Sequence, residues 1–388
     1  MIKQIFDGFI RAFGGPVGGL RFFFAPGRVN IIGEHIDYNG GFVFPCALTL
    51  GTYAAVRRRD DNVIRFASAD FEPIVSVGTG KLEFDQLHGW ANYPKGTAFC
   101  ITETGHMLGG FDMFFCGDLP TGAGLSSSAS VTMVTAAALD EIFSLKIGPI
   151  ERAKLCRRAE HYNGVSCGIM DQFASAMGRE NHAILLDCNT LDYRLVPFDP
   201  GDLRIVVSNT NKRRELADSK YNERLSECES ALADLKKIMD ITALCDLSPE
   251  DFEKHKHFIK NEIPRKRAEH AVCENARTKK AAEYVSTGNL EGFAQMIWQS
   301  HESLANLYEV SCFELDTLVN AACEFGAGSS SVYGSRMTGA GFGGCTVSFV
   351  HKNFIDGFKK YVGEAYEQKT KLKADFYIAS PGEGAREI

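Results

Sequence analysis

The chain has 388 residues, of which 45% are hydrophobic, and this is ordinary for a packed soluble protein with two domains or one large one. Its net charge is −7 and it has no run of five or more Lys or Arg, which argues against non-specific nucleic-acid binding and binding to an anionic membrane. No apolar stretch approaches the roughly eighteen residues that a membrane span needs. The twelve cysteines include no C-x-x-C pair, so we interpret them as reduced thiols of a cytoplasmic protein.

The N-terminal segment, Met1 to Arg11, is predicted to be an amphipathic helix that docks on the body of the protein. Its apolar residues recur at helical spacing and charged residues interrupt them, which is unlike a signal peptide. Three short stretches rich in aromatic or β-branched residues predict strands, namely Phe22 to Phe24, Val43 to Arg57 and Val63 to Ser68.

A polar motif, Gly27 to Gly41, lies between the first two of these strands. Within it Glu34, His35 and Asp37 crowd three hydrogen-bonding side chains into four positions, and Arg28 lies upstream. Carboxylates beside an imidazole suit a ligand with several hydroxyls. A polar turn between two strands would account for the composition equally well. A metal site is a weaker interpretation, because the H-E-x-x-H spacing is absent.

The chain is organised around a glycine- and serine-rich stretch, Pro120 to Ala129. An apolar strand, Phe111 to Cys116, precedes it, and a helical segment, Val131 to Leu139, follows it. A glycine turn before a helix directs unpaired N–H groups at one point and therefore suits a phosphate. A flexible loop that ends in a serine N-cap is an equally good interpretation of these residues alone. The stretch is not a Walker A loop, since no Lys follows its last glycine.

The rest of the chain alternates predicted helices and strands, so the sequence indicates a mixed α and β architecture. Helices are predicted over Asn92 to Leu108, Ile150 to Tyr162, Lys212 to Asp240, Pro264 to Tyr284 and Leu290 to Tyr308, and strands over His182 to Cys188, Leu203 to Ser208 and Ala374 to Ala379. Residues 240–258 are interpreted as an irregular surface excursion. Asp171 begins an apolar helical stretch, where it is either a plain first-turn aspartate or a carboxylate aimed at a substrate hydroxyl.

A third glycine cluster extends from Gly334 to Gly344 and formally satisfies G-x-G-x-x-G. A dinucleotide fingerprint should open a helix, whereas the apolar segment after these glycines, Cys345 to Val350, predicts a strand. We therefore expect the glycines to let two backbones pack closely, over the phosphate-binding loop.

Three motifs together make the chain resemble the galactokinases, which belong to the GHMP superfamily with homoserine, mevalonate and phosphomevalonate kinases. The motifs are GRVNIIGEHIDYNGG at 27–41, GAGLSSSA at 122–129 and RMTGAGFGGC at 336–345. The resemblance implies a two-domain α+β GHMP kinase fold. Residues 1–205 would form an N-terminal domain like the second domain of ribosomal protein S5, residues 206–388 a ferredoxin-like C-terminal domain, and the active site would lie between them.

The resemblance also implies the reaction: a cytoplasmic monomer uses ATP and Mg²⁺ to phosphorylate the anomeric hydroxyl of D-galactose, giving galactose 1-phosphate and ADP for the Leloir pathway. Asp171, within Cys-Gly-Ile-Met-Asp-Gln, would be the base and Arg28 would lie beside it. The other implied residues are Glu34, His35, Asp37, Gly168 and Tyr221 for the sugar; Ser68, Gly122, Ala123, Gly124, Leu125, Ser126, Ser127 and Ser128 for ATP; and Ser128 and Glu160 for the metal. The segment from Glu160 to Asp171 is one residue shorter than the usual galactokinase form, a departure that bears on Glu160 more than on Asp171.

Two alternatives remain at this point. A sister kinase for N-acetylgalactosamine or arabinose would carry similar hydroxyl-binding residues and differ in the pocket walls. A galactokinase-like sensor would bind sugar and ATP without turnover. The intact serines at 126–128, with Arg28 and Asp171, count against the sensor, because a protein that does not catalyse has no need of the complete set.

Overall fold

The computed structural model describes residues 1–119, 124–165, 167–198, 201–212 and 217–388. Its helices are α1 (Ile2–Phe13), α2 (Asn92–Thr102), α3 (Ser127–Phe143), α4 (Pro149–Tyr162), α5 (Met170–Met177), α6 (Ala217–Leu235), α7 (Pro249–His255), α8 (Glu262–Thr287), α9 (Leu290–Asn306), α10 (Phe313–Gly326) and α11 (Ile355–Thr370). Its strands are β1 (Arg21–Asn30), β2 (Phe42–Val43), β3 (Pro45–Arg58), β4 (Val63–Ser68), β5 (Val75–Gly78), β6 (Phe111–Gly117), β7 (His182–Asp187), β8 (Tyr193–Pro197), β9 (Leu203–Asn209), β10 (Val332–Thr338), β11 (Cys345–His351), β12 (Asp375–Ala379) and β13 (Arg386–Glu387).

The N-terminal sheet has six strands in the order β13-β1-β3-β6-β4-β5. Its strands are antiparallel except for the pair β4 and β6. Side chains alternate between the two faces, as the period of a strand requires. Along β6, Phe111, Met113 and Phe115 pack in the main core with the helices α2 to α4. Phe114 and Cys116 point to the other face, against the apolar side of α1.

The C-terminal sheet has four antiparallel strands in the order β10-β11-β9-β12. Helices precede β10 and β12 in the chain, so the order of helices and strands is that of a ferredoxin-like domain. One face packs on α8 and α9, for example through Phe293 against Phe349 with ring centroids 4.9 Å apart. The other face packs on α10 and α11. These observations confirm the predicted α+β fold and its ferredoxin-like half.

A small sheet has the order β2-β7-β8. Its strand β2 lies between β1 and β3 in the chain, whereas β7 and β8 lie between the strands of the two larger sheets. The short connection from β8 to β9 separates strands of different sheets, while β13, at the end of the chain, pairs with β1 of the N-terminal sheet. The division after residue 205 remains a prediction. Among the described residues, no helix combines the length and the apolar character needed to cross a membrane.

Several local predictions need correction. The helix predicted over Asn92 to Leu108 ends at Thr102. The segment 240–258, predicted to be irregular, contains α7, and its Leu244 and Phe252 are buried against α8. Three elements, α10, α11 and β10, were not predicted from the sequence. In β10 the buried residues include Ser335, Arg336 and Thr338, so the strand lacks the apolar alternation on which such a prediction depends.

Candidate active site

A cavity of about 370 Å³ lies where β1, the start of α3, α5, α6 and the turn between β10 and β11 meet. It brings together side chains that are up to about three hundred residues apart in the chain. The predicted site residues that line it are Arg28, Glu34, His35, Asp37, Gly124, Ser126, Ser127, Ser128, Gly168, Asp171 and Tyr221. Leu125, Glu160 and Ser68 are not among its lining residues. Gly122 and Ala123 lie outside the described residues.

The charged centre of the cavity is a two-point ion pair between Arg28 and Asp171. Arg28 Nε donates to Asp171 Oδ1 at 2.7 Å, and Nη2 donates to Oδ2 at 2.8 Å. Burial alone would lower the pKa of Arg28, but the carboxylates of Asp171 and Glu34 outweigh it and raise that pKa. The Arg28 side chain is 6% exposed and that of Asp171 is 31% exposed, so Asp171 faces the open cavity while Arg28 fixes its orientation from behind.

The end of the glycine- and serine-rich stretch is tied to this ion pair. Arg28 Nη1 donates to the carbonyl of Gly124 at 2.8 Å, and Arg28 N donates to the carbonyl of Leu125 at 3.1 Å. Ser126 has a left-handed φ of 62° at the N-cap of α3, and its hydroxyl donates to Asp171 Oδ2 at 2.5 Å. Ser127 begins the first turn of α3. The N-terminal N–H groups of a helix thus lie beside the carboxylate, which is an arrangement suited to an anion.

The third glycine cluster packs on the same stretch, as the sequence predicts. A Cβ built on Gly339 would lie 3.4 Å from the carbonyl oxygen of Gly124, and Gly339 has a φ of 79°. Gly341 has a φ of 83°, and its Cβ would lie 2.2 Å from the carbonyl oxygen of Val310. The positive φ favours glycine at both positions, and at Gly341 the neighbouring backbone also occupies the space of a side chain.

Glu34 is buried and is held by the third motif. Its Oε1 accepts from the Thr338 hydroxyl at 2.8 Å, from Gly339 N at 2.7 Å and from Arg336 Nη2 at 3.2 Å. Its Oε2 accepts from Asn30 Nδ2 at 2.9 Å. Burial would raise the pKa of Glu34, but Arg336 and Arg28 lower it, so the group stays ionised. Glu34 connects the first motif to the C-terminal sheet, a role that sequence reasoning did not predict.

Asp37 faces Gly168 at very short distance. A Cβ on Gly168 would lie 1.7 Å from Asp37 Oδ2, so only glycine fits there while the carboxylate keeps its position. Burial raises the pKa of Asp37 to about 7, and the nearby carboxylates of Asp171 and Glu34 contribute to the rise. Burial and nearby negative charges destabilise the ionised form of a carboxyl group. A ligand that donates hydrogen bonds to the carboxylate stabilises that ionised form.

His35 is buried among tyrosine rings. Its ring centroid lies 5.6 Å from that of Tyr221 and 4.9 Å from that of Tyr308. Its Nδ1 lies 2.8 Å from the Tyr38 hydroxyl, and its Nε2 lies 3.2 Å from the carbonyl oxygen of Ala340. Burial lowers the pKa of His35 to about 4, so the ring is neutral near pH 7. The two tyrosines Tyr38 and Tyr308 are residues that sequence reasoning missed; the nearness of Tyr38 to Asp37 in the first motif was the available signal.

The two predicted metal ligands lie on packed helices, Ser128 on α3 in the cavity wall and Glu160 on α4 outside the lining. Glu160 on α4 is 2% exposed, and its Oε1 has no hydrogen-bond partner among the described residues. Burial raises the pKa of Glu160 to about 7, a rise that a hydrogen bond from Ser128 on α3 partly offsets. No group of three or more His, Cys, Asp or Glu side chains able to hold a metal occurs in the part of the chain that the structure describes.

The remaining predicted nucleotide contact, Ser68, lies at the end of β4. Its hydroxyl accepts a hydrogen bond from Asp70 N at 3.1 Å. It is part of the N-terminal sheet next to β6, the strand that leads to the glycine- and serine-rich stretch. Its role, like those of the other site residues, remains a prediction.

Comparison with known families shows three matches along the chain. Residues 7–58 match the galactokinase galactose-binding signature, residues 92–179 the N-terminal domain of GHMP kinases, and residues 281–368 the C-terminal domain of GHMP kinases. Two similar curated proteins are the galactokinases of Bacillus subtilis, 49% identical with 100% of this chain and 99% of the relative covered, and of Clostridium tetani, 47% identical with 100% and 98% covered.

Solved structures give the same picture. A crystal structure of Lactococcus lactis galactokinase complexed with galactose superposes with a TM-score of 0.96, at 40% identity and with 100% of both chains covered. The mevalonate kinase of Methanococcus jannaschii superposes with a TM-score of 0.65 at 18% identity, with 95% of this chain and 100% of that chain covered. The second likeness concerns the fold alone.

Proposed function

This chain belongs to the galactokinase family and is an ATP-dependent sugar kinase, and we propose that it phosphorylates the anomeric hydroxyl of D-galactose, with Asp171 as the base. The products would be galactose 1-phosphate and ADP. The observation that carries the proposal is the two-point ion pair of Arg28 and Asp171, at 2.7 and 2.8 Å, between the hydroxyl-binding residues and the start of α3. The galactose bound to the Lactococcus lactis enzyme supports the choice of acceptor.

Asp171 would accept the proton of the attacking hydroxyl. As the sugar oxygen forms its bond to phosphorus, the bond from phosphorus to the departing ADP oxygen breaks and the sugar O–H proton passes to the carboxylate. Such a transfer depends on alignment and charge stabilisation more than on covalent help. Arg28 holds both carboxylate oxygens and so fixes the orientation of Asp171. Its positive charge would stabilise the moving phosphoryl group.

The sugar would bind against the first motif. Asp37 and the Oε2 side of Glu34 offer acceptors for sugar hydroxyls, while Tyr221 and His35 close the cavity with their rings. Because Gly168 has no Cβ, there is space beside it for the Asp37 carboxylate. A donor hydroxyl next to Asp37 would favour its ionised form, so binding of the sugar would lower the pKa of a group that burial holds at about 7.

The phosphates of ATP would bind at the start of α3. Gly124, Leu125 and the serines at 126–128 belong to this proposal together with Gly122, Ala123 and, for the nucleoside, Ser68. The N-terminal N–H groups of α3 and its dipole favour negative charge at this point. Ser126, which lines the cavity, has a left-handed conformation at the helix start.

Glu160 and Ser128 are suitable ligands for a magnesium ion. The unpartnered Oε1 of a buried carboxylate is an oxygen ligand without another task, and Mg²⁺ in kinases takes one or two carboxylates and completes its shell with waters and substrate phosphates. When bound, the ion would neutralise charge on the phosphates. We therefore expect the protein to supply only a few of the ligands of this metal ion.

The protein is further proposed to act as a monomer in the cytoplasm. None of the twelve cysteines, all of which lie in the described ranges, forms a disulfide, which is typical of a reducing compartment. Light scattering of the purified protein would measure the oligomeric state.

The test of the proposed function is ADP release with ATP and Mg²⁺ against galactose, galactosamine, N-acetylgalactosamine, arabinose, glucose and mevalonate. Turnover should be far higher with galactose than with the others. Asp171→Asn keeps the volume and removes the base, so kcat should fall by about 10²- to 10⁴-fold, or roughly 3 to 5 kcal/mol of barrier, while galactose still binds. Asp7→Asn, on the exposed side of α1, is the matched control. Near-normal turnover of Asp171→Asn would refute the assignment of the base.

A further inference from the structure

A series of hydrogen bonds extends from the buried His35 through Tyr38, which also lines the cavity, into the protein interior. The Tyr38 hydroxyl lies 2.8 Å from His35 Nδ1 and 2.8 Å from the Tyr308 hydroxyl. The Tyr308 hydroxyl in turn lies 3.2 Å from Cys228 Sγ. At the far end, Asn39 Nδ2 donates to Cys228 Sγ at 3.6 Å. Tyr308 is fully buried and Cys228 is 1% exposed, so no bulk water competes for these groups.

The groups at the two ends of this hydrogen-bond series determine which atom donates and which accepts in each bond. The carbonyl oxygen of Ala340 can only accept, so the hydrogen of a neutral His35 ring lies on Nε2. His35 Nδ1 is then an acceptor, and the Tyr38 hydroxyl must donate to it. Tyr38 accepts in turn from the Tyr308 hydroxyl, and Tyr308 accepts from the Cys228 thiol. Burial raises the pKa of Cys228 to about 11 and lowers that of His35 to about 4, so both groups are neutral near pH 7 and can take these roles.

We infer that Tyr38 and Tyr308 are positioning residues of the sugar site, which hold His35 in the tautomer that donates from Nε2 and in one ring orientation. This inference rests on the proposed function, in which His35 lines the galactose subsite. The sugar oxygen that meets His35 Nε2 must then act as an acceptor. The bond from Nε2 to Ala340 is 3.2 Å, at the long end of the normal range, so a sugar oxygen can replace it.

The backbone of the His35 segment is held by other groups. Asn39 Nδ2 donates to the carbonyl of His35 at 2.9 Å, and His270 Nε2 lies 3.1 Å from the carbonyl oxygen of Glu34. His35 itself has a left-handed φ of 62°. Removing the Tyr38 hydroxyl therefore leaves the backbone contacts in place and releases only the ring. Because the backbone contacts do not depend on the Tyr38 hydroxyl, its removal tests a positioning role separately from general support of the fold.

Tyr308 has its own anchors, which keep the second hydroxyl of the chain in place. Arg224 Nη1 donates to the Tyr308 carbonyl at 3.3 Å, and Arg267 Nη1 donates to the carbonyl of Leu307 at 2.6 Å. Arg267 also pairs with Glu309 at 2.9 Å. The ring of Tyr308 packs against that of His270 with centroids 4.5 Å apart and planes tilted by 42°. The hydroxyl is thus presented to Tyr38 by a rigid segment between α9 and α10.

The kinetic test compares Tyr38→Phe and Tyr308→Phe with Tyr333→Phe. Tyr333 is half-buried on β10, and its hydroxyl forms no hydrogen bond with a described residue. Loss of one buried hydrogen bond should raise the KM for galactose roughly 5- to 30-fold in Tyr38→Phe and less in Tyr308→Phe. The kcat and the KM for ATP should change less than about threefold, and Tyr333→Phe should behave as the wild type. The matched pair Cys228→Ser and Cys228→Ala extends the test, because serine keeps a hydrogen-bond donor to the Tyr308 hydroxyl and alanine removes it.

The spectroscopic test uses ¹⁵N-labelled histidine in the ligand-free protein. The His35 signals, identified by their absence in His35→Gln, should show Nε2 protonated and Nδ1 unprotonated in the wild type. Tyr38→Phe should shift them toward a mixture of tautomers, which a merely structural role would not do. Tyr333→Phe is again the control.

Two results would overturn the inference: unchanged KM and unchanged tautomer in Tyr38→Phe, or Nδ1 protonated in the wild-type protein. A failure of the proposed function has a different signature. In that case the wild type would not phosphorylate galactose, while the tautomer measurement, made without substrate, would still report whether the hydrogen-bond chain controls His35.

Discussion

The contact between Gly168 and Asp37 gives a prediction whose size follows from the structure. In Gly168→Ala the new Cβ would lie 1.7 Å from Asp37 Oδ2 and 2.3 Å from its Cγ, whereas a carbon and an oxygen that do not bond stay about 3 Å apart or more. The carboxylate must therefore move by about 1 Å or more. A misplacement of that size costs roughly 10²-fold in kcat/KM, or about 2.7 kcal/mol.

The fold should tolerate this change, because the colliding atoms are the end of a side chain that faces a cavity. We expect kcat/KM for galactose to fall by about 10²-fold, chiefly through KM, with little change in the midpoint of thermal unfolding. Gly80→Ala is the matched control, since no atom lies within 4 Å of the Cβ that it would add. ADP release at a range of galactose concentrations and a thermal melt measure both quantities.

A double-mutant cycle sharpens the same test. If Gly168→Ala acts by displacing Asp37, it should have almost no further effect in an Asp37→Ala background. Kinetic constants of Gly168→Ala within twofold of the wild type would refute the collision argument. An equal loss in both backgrounds would show that the alanine acts on another part of the site.

Further predictions follow from three other contacts. Glu160→Gln removes the charge of the unpartnered carboxylate, so the Mg²⁺ concentration that gives half-maximal rate should rise by about tenfold or more; an unchanged requirement would exclude Glu160 as a ligand. Arg336→Met leaves Glu34 and several carbonyls without their buried donor, so the free energy of unfolding in urea should fall by about 3 to 5 kcal/mol. Burial holds the pKa of Asp37 in the folded state at about 7, above its value in the unfolded state. The folded state therefore binds more protons than the unfolded state between these two pKa values. The resulting contribution to the free energy of unfolding is present at acid pH and is lost as pH rises through about 7. Asp37→Asn should be more stable than the wild type at about pH 8 and similar to it at about pH 4. A difference in unfolding free energy between the two proteins that does not grow over this pH range would contradict the assignment.

The sequence predicted the elements whose patterns are local. The apolar run of β6, which is buried on both faces, and the helical spacing of apolar residues in α1 are patterns of neighbouring residues, and both elements were predicted. The three motifs predicted the family, and with it the residues that the cavity brings together. β10 was missed because its buried face carries Arg336 and Thr338. Most hydrogen-bond partners of these polar groups lie at the other end of the chain, in the Glu34 carboxylate and the carbonyls of Asn30 and Ile31.

Sequence by itself therefore determined the family, the fold and most of the residue types around the cavity, since motifs and periodicity are properties of neighbours along the chain. Only the tertiary structure decided which partners those residues have. The two-point pairing of Arg28 with Asp171, the contact of Gly168 with Asp37 and the hydrogen bonds from Tyr308 through Tyr38 to His35 all join distant segments. Such contacts depend on distances and directions that arise when the two sheets and their helices pack, and no pattern along the chain encodes them.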